Sequence, residues 1–297
     1  MNTHVVVAKD GRRLWAQEWG NPGGTAVFLL HGTPGSRLGP MPRDALLYRQ
    51  GIRLITYDRP GYGDSDRLRG RRIAHAAADV AAIADHLGIE EFSVVGRSGG
   101  GPHTLACAAL LPDRVRRAAA LVSVAPPDAE GLDWFAGMTE GNVAEYAVAR
   151  RGHDELVERL EAVVAGILAD PITCMPFGDA ALPESDQLII ADYGVKDKLV
   201  RTFVEGLRTS AYGWVDDSLS FLAPWDFQPS DISVPVLLWH GKDDIFSPVS
   251  HTRWLAGQIK HADVAIEPGA AHFGSVAVLP EVLRWLAADA NPQALAA

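Results

Sequence analysis

A serine framed by glycines is the feature that most constrains this chain. The segment Gly96–Arg97–Ser98–Gly99–Gly100 follows the apolar run 91–95 and opens the small-residue stretch 101–109. A strand that turns directly into a helix places the central serine on a sharp bend, so its hydroxyl projects from the end of a sheet. Glycines two positions before and after that serine leave room where a side chain would collide with neighbouring backbone. The segment therefore predicts a strand–turn–helix unit.

Strand and helix patterns alternate on both sides of this unit. The strand-like segments are 5–8, 13–19, 25–31, 51–58, 91–96, 117–124, 234–241 and 262–268. The helical segments among them are 38–50, 71–87, 99–111, 248–259 and 275–288. The first two strands form a hairpin around Asp10–Gly11, a favoured tight-turn pair. Repeated β–α units with short loops predict an α/β fold, with a parallel sheet covered by helices on both faces.

The interval 128–230 breaks this alternation. It carries helical patterns at 142–151, 154–169, 187–193 and 196–209 and shows no convincing strand. Because so long a stretch is not a loop of a compact domain, we predict a helical insertion over 128–230. The core is then formed by 1–127 and 231–297. The insertion is rich in aromatic residues, and we take Trp134 and Trp214 as candidates for lining a substrate pocket.

Composition narrows the classes of partner. The net charge is −10 and the pI is near 5.4, so there is no basic surface to neutralise the phosphates of a nucleic acid. No apolar run approaches the length of a membrane span, and no signal peptide is readable at the N-terminus. The expected location is cytoplasmic. The expected partner is a small-molecule substrate, with a homodimer left open. No histidine or cysteine cluster has metal-ligand spacing, so we expect neither a metal nor a cofactor.

A serine hydroxyl is a poor nucleophile at neutral pH and needs an adjacent base oriented by a carboxylate. His272 follows the strand 262–268 in a short loop, which is where open α/β sheets place functional groups. The segment 237–244 ends in Asp243 and Asp244, and either one is a candidate for the carboxylate. Histidines 75, 86, 153, 251 and 261 have no such neighbours and are interpreted as surface residues.

Five segments together resemble the α/β-hydrolase superfamily. They are His31–Gly35, Asp58–Ser65, Gly96–Gly100, Gly241–Pro248 and Gly269–Phe273. The resemblance implies a mostly parallel eight-stranded sheet with helices on both faces and an inserted α-helical cap. It also implies the triad Ser98, His272 and Asp244, since the family's spacing of the acid matches Asp244 and not Asp243. The amides of Thr33 and Gly99 would form the oxyanion hole.

The activity implied by the resemblance is that of a serine hydrolase acting on a small ester or lactone. The chain is similar to small-molecule esterases, proline iminopeptidases and cofactor-free haloperoxidases. Two alternatives stay open: an iminopeptidase-like enzyme that uses an acid of the insertion, with Glu140, Glu145 and Glu205 as candidates, and a ligand-binding member without catalysis. Two roles are also open for Arg97, which either contacts a ligand or pairs with an acidic side chain.

Overall fold

The computed structural model describes residues 2–177 and 180–288. Eight strands form one sheet in the order β1-β2-β4-β3-β5-β6-β7-β8. The strands are β1 Asn2–Val7, β2 Arg13–Gly20, β3 Thr25–Leu30, β4 Ile52–Tyr57, β5 Phe92–Arg97, β6 Val115–Leu121, β7 Val236–Gly241 and β8 Ala262–Glu267. β2 pairs antiparallel with β1 and with β4, and the remaining pairs are parallel. The prediction of a mostly parallel eight-stranded sheet is confirmed.

Eleven α-helices accompany the sheet in the described residues. They are α1 Asp44–Arg49, α2 His75–His86, α3 Gly100–Leu110, α4 Glu140–Arg151, α5 His153–Ala169, α6 Glu184–Ala191, α7 Tyr193–Leu207, α8 Tyr212–Phe221, α9 Val249–Gln258, α10 Gly274–Ala277 and α11 Leu279–Ala287. None of these helices is long and apolar enough to cross a membrane.

The two faces of the sheet are buried by different helices. Val80 of α2, Leu105 of α3 and Leu255 of α9 belong to the apolar cluster on one face. Leu47 of α1 and Leu283 of α11 belong to the cluster on the other. Every residue of β5 and of β7 is buried, which explains why the central strands read as nearly continuous apolar runs. The expected three-layer arrangement is confirmed.

Five helices, α4 to α8, lie between β6 and β7 in the described residues. Their apolar residues pack together and against Tyr62 and Phe273 of the sheet-based part of the chain. Four of them match the helical patterns of the sequence, but α8 was not predicted. Its sequence places Asp216, Asp217 and Ser218 on buried positions, so it lacks an apolar stripe.

Candidate active site

Ser98 stands on a strained turn between β5 and α3. Its φ is +52°, in the left-handed region, and its amide donates to the Leu121 carbonyl at 2.9 Å. A Cβ on Gly96 would lie 2.1 Å from the carbonyl oxygen of Gly100, and a Cβ on Gly100 would lie 2.2 Å from that of Leu30. The turn therefore requires glycine at both positions, as the sequence predicts.

His272 is held by a carboxylate from the neighbouring strand. It lies in the loop between β8 and α10, with its Nδ1 2.8 Å from Oδ2 of Asp244. The other oxygen of Asp244 accepts hydrogen bonds from the amides of Phe246 at 2.8 Å and Ser247 at 3.1 Å. Asp243 is exposed. The structure thus brings Asp244, and not Asp243, to the imidazole.

The environment of Asp244 favours its ionised form. Burial alone would raise the pKa of this carboxyl group, but the facing His272 and the hydrogen bonds from His240 and His272 outweigh burial. The pKa of Asp244 is therefore held well below its ordinary value of 3.8. An anion at this position stabilises a protonated imidazole and fixes which ring nitrogen faces the serine.

Ser98 and His272 line the same cavity, whose volume is about 130 Å³. Its walls come from both parts of the chain. Helices of the segment between β6 and β7 contribute Asn142, Glu145, Tyr146, Leu199, Thr202, Phe203, Trp214 and Phe221. Phe246 and Phe273 add apolar surface beside His272. Ser98 and His272 thus open onto a small space with several aromatic side chains in its walls.

Thr33 and Gly99 also line this cavity. They are in contact, since a Cβ on Gly99 would lie 2.1 Å from the Thr33 hydroxyl oxygen. Neither main-chain amide donates to a protein acceptor within the described residues. The Thr33 hydroxyl is engaged elsewhere, because it donates to Asp217 at 2.5 Å. The two amides are therefore available to a ligand oxygen, whereas the hydroxyl is occupied.

Behind the Thr33 loop lies a buried ionic cluster that the sequence did not reveal. One carboxylate oxygen of Asp217, on α8, accepts from the guanidinium of Arg59 at 2.5 Å and from the Tyr62 hydroxyl at 2.7 Å. The other oxygen lies 2.7 Å from Arg71. Burial would raise the pKa of Asp217, but the charges of Arg59 and Arg71 hold it below the ordinary range. The cluster fixes α8 against the loop that carries Thr33.

The remaining histidines near the site have structural roles. The ring of His31 donates to the Gly32 carbonyl at 2.8 Å and accepts from the Arg59 amide at 3.2 Å, so it ties down the loop that follows β3. Burial and the nearby charge of Arg59 together lower the pKa of His103 to about 3, so this ring is neutral. His251 is fully buried, so its interpretation as a surface residue is wrong.

The three predicted pocket residues have different outcomes. Arg97 and Trp214 line the cavity. Trp134 does not, and its prediction as a pocket residue is wrong. Its indole Nε1 donates to the Ala125 carbonyl at 2.8 Å, and its ring packs edge-on against Tyr146 and His251. Trp134 therefore lies behind Tyr146, which takes the position facing the cavity.

No metal site accompanies this geometry in the residues that the structure describes. Within 2–177 and 180–288, no group of three or more histidine, cysteine, aspartate or glutamate side chains is arranged to hold a metal ion.

Comparison with known proteins agrees with the topology. The family model described as alpha/beta hydrolase fold matches residues 25–158, from β3 through the serine turn into α5. The chain has the α/β-hydrolase fold. A non-heme haloperoxidase of Rhodococcus erythropolis is 28% identical to this chain over 272 residues, covering 90% of this chain and 92% of the relative. A bifunctional esterase/perhydrolase of Acinetobacter calcoaceticus is 26% identical with the same coverage of 90% and 92%.

Solved structures share the fold of this chain. The enol-lactonase from Burkholderia xenovorans LB400 superposes with a TM-score of 0.68 at 20% identity, covering 96% of this chain and 97% of the other. An esterase from Rhodococcus sp. ECU1013 superposes with a TM-score of 0.66 at 21% identity, covering 96% and 100%.

Proposed function

We propose that this protein is a serine hydrolase that cleaves a carboxylic ester or lactone of a small, partly apolar molecule through an acyl-enzyme. One observation carries the proposal: Ser98 and His272 face one cavity, and His272 is held 2.8 Å from the buried carboxylate of Asp244. These are the nucleophile, base and orienting acid that acyl transfer needs.

In the proposed reaction, the Ser98 hydroxyl oxygen attacks the ester carbonyl carbon while His272 accepts the hydroxyl proton. The carbonyl oxygen becomes an oxyanion that accepts hydrogen bonds from the amides of Thr33 and Gly99. The carbon–oxygen bond to the alcohol then breaks, and His272 returns the proton to that alcohol oxygen. Water repeats the sequence on the acyl-enzyme, which releases the carboxylic acid and restores Ser98.

The cavity supports a small substrate with an apolar part. Its volume of about 130 Å³ and its aromatic walls favour a compact molecule over a long chain. We treat 128–230 as a cap, because helices of this segment complete the cavity above the serine turn. The relative named as an esterase/perhydrolase and the fold neighbour named as an enol-lactonase support an ester or a lactone as the substrate class.

A second candidate is an aminopeptidase that binds a free amino terminus. The observation in its favour is Glu145, the one of the three candidate acids that lines the cavity. Its Oε1 accepts from the Trp214 indole at 3.0 Å and from the Ser218 hydroxyl at 2.6 Å. Burial raises the pKa of Glu145, although those two donors oppose the shift. A raised pKa disfavours the anionic form that would bind an ammonium, and both donors to Glu145 already come from the protein, so the esterase remains the preferred function.

Two chromogenic substrates separate these functions. We expect wild-type protein to hydrolyse p-nitrophenyl butyrate, and the Ser98→Ala variant to lose that activity. Prolyl p-nitroanilide should be a much poorer substrate. A strong preference for the anilide would support the aminopeptidase. If the Ser98→Ala variant keeps its activity towards both substrates, Ser98 is not the nucleophile. A folded protein inert towards both substrates and towards a fluorophosphonate would be a ligand-binding member of the superfamily.

A further inference from the structure

Arg97 is a buried cation beside the nucleophile. It ends β5, immediately before Ser98, and it lines the cavity although it is only 6% exposed. Its Nε donates to the hydroxyl of Ser275 at 3.0 Å. In the part of the chain that the structure describes, its two terminal nitrogens donate to no protein acceptor, and no carboxylate lies within ion-pair distance.

This lack of a counter-ion distinguishes Arg97 from the other buried arginines of the site. Arg59 and Arg71 are equally buried, but both pair with Asp217. Burying a charge without a partner is costly, and buried charges in proteins are therefore normally paired. Burial lowers the pKa of Arg97 to about 10, with a small opposing effect from Asp186, so the group is still cationic at neutral pH. An anion bound from the cavity would supply the missing counter-charge.

The space around Arg97 decides where an anion can enter. A second, smaller cavity of about 10 Å³ also borders Arg97, with Ser36 and Thr56 among its walls. That volume is about the room for one water molecule and is too small for a carboxylate. An anion must therefore reach the guanidinium from the large cavity, on the side of Ser98.

We propose that Arg97 binds a carboxylate carried by the substrate, a few bonds from the carbonyl that Ser98 attacks. The substrate class is then the ester or lactone of a small dicarboxylic or oxo acid in which one carboxylate is free. This inference rests on the proposed hydrolase function and narrows its substrate. The terminal nitrogens of an arginine match the two oxygens of a carboxylate, which gives orientation as well as affinity.

A positioning role is the competing explanation for Arg97. Ser275 accepts from Arg97 and also donates from its hydroxyl to the His272 carbonyl at 2.6 Å. The Ser275 side chain thus links Arg97 to the main chain of His272. The Ser275→Ala variant separates the two roles, because it removes this link and leaves the guanidinium in the cavity.

The test compares two matched esters, monomethyl succinate, which carries a carboxylate, and methyl succinamate, its neutral amide. We expect wild-type protein to have the higher kcat/KM for the anionic ester. Arg97→Gln should lower the ratio of the two kcat/KM values by roughly 30-fold or more, since a desolvated charge pair is lost. Arg97→Lys should retain part of the preference. Ser275→Ala should lower kcat/KM for both esters by the same factor and so leave the ratio unchanged. The control variant Arg253→Gln, which removes an exposed arginine of α9, should change neither kcat/KM value.

Binding to a variant without turnover keeps this inference separate from the proposed function. In Ser98→Ala, calorimetry should detect monomethyl succinate with an affinity that falls at least about 10-fold in Ser98→Ala/Arg97→Gln. Binding of the anion without turnover by wild-type protein would retain the Arg97 site and overturn the hydrolase. Two results would overturn the anion site: equal kcat/KM values of wild-type protein for the two succinate esters, or an equal loss of both values in Arg97→Gln. If wild-type protein still hydrolyses p-nitrophenyl butyrate, the hydrolase function is retained in either case.

Discussion

The Asp186 carboxylate, on α6, accepts hydrogen bonds from the main-chain amides of His272 at 3.1 Å and Phe273 at 2.8 Å. Both of its oxygens are used, and the residue is fully buried. Burial raises the pKa of Asp186, but these amide donors and the nearby His272 oppose the shift. A helix of the inserted segment therefore holds the loop that carries the proposed base.

This contact predicts a positioning effect on the reaction. In Asp186→Asn, one of the two main-chain amides faces an NH₂ group and is left unpaired, at a cost of about 1–3 kcal/mol. We expect kcat/KM for p-nitrophenyl butyrate to fall by about 10-fold, with a parallel fall in the rate of fluorophosphonate labelling. Glu184→Gln changes an exposed acid of the same helix and should alter neither rate. Wild-type rates in Asp186→Asn would show that α6 does not position His272.

The two neighbouring aspartates should differ sharply in their effect on turnover. Asp244→Asn leaves an amide beside the Nδ1 of His272, so the imidazole loses its anionic partner and its preferred tautomer. We expect kcat to fall by about 10³- to 10⁴-fold in steady-state assays. Asp243→Asn alters an exposed side chain and should change kcat less than about twofold. Similar losses in the two variants would contradict the assignment of Asp244.

Replacing the buried Asp217 by asparagine should lower the free energy of unfolding much more than the same replacement of an exposed aspartate. Asp217→Asn leaves Arg59 and Arg71 buried without a full counter-charge, and we expect the free energy of unfolding in urea to fall by about 3–5 kcal/mol. Asp226, whose side chain is 50% exposed and lies 4.0 Å from Arg72, provides the control. Asp226→Asn should cost less than about 1 kcal/mol. Equal costs would mean that the Asp217 cluster is not held together by its charges.

His251 predicts a pH dependence of stability. Burial lowers its folded-state pKa to about 4, against 6.5 for the free side chain. Between these values the unfolded chain binds a proton that the folded protein does not, so the contribution of His251 to stability falls as pH decreases through this window. The stability difference between wild type and His251→Gln should shrink by about 1.4 kcal/mol for each pH unit below 6.5. Urea unfolding at several pH values checks this, and a pH-independent difference would contradict it.

Most of the sheet could be predicted because its signals are local. The apolar run of β5, the glycines around Ser98 and the strand-end positions of His272 and Asp244 each follow from a few neighbouring residues. The serine turn is the clearest case, since close backbone approach at Gly96 and Gly100 admits no side chain.

The missed features depend on long-range contacts. Helix α8 buries Asp217 against arginines more than a hundred positions earlier in the chain, and no local pattern marks that pairing. Asp186 looks like an ordinary acid in the first turn of a helix, where acids are common. Trp134 and Trp214 are indistinguishable by residue type, and only packing shows that Tyr146 takes the position facing the cavity in front of Trp134.

Covalent labelling reports directly on whether Ser98 is a nucleophile activated by His272. After reaction with a fluorophosphonate, intact mass and peptide mapping of wild-type protein should show one adduct, on Ser98. Ser98→Ala should carry none, and His272→Gln should be labelled orders of magnitude more slowly, because its serine lacks a base. An unlabelled but folded wild-type protein, an adduct on another residue, or undiminished labelling of His272→Gln would contradict a Ser98 nucleophile activated by His272.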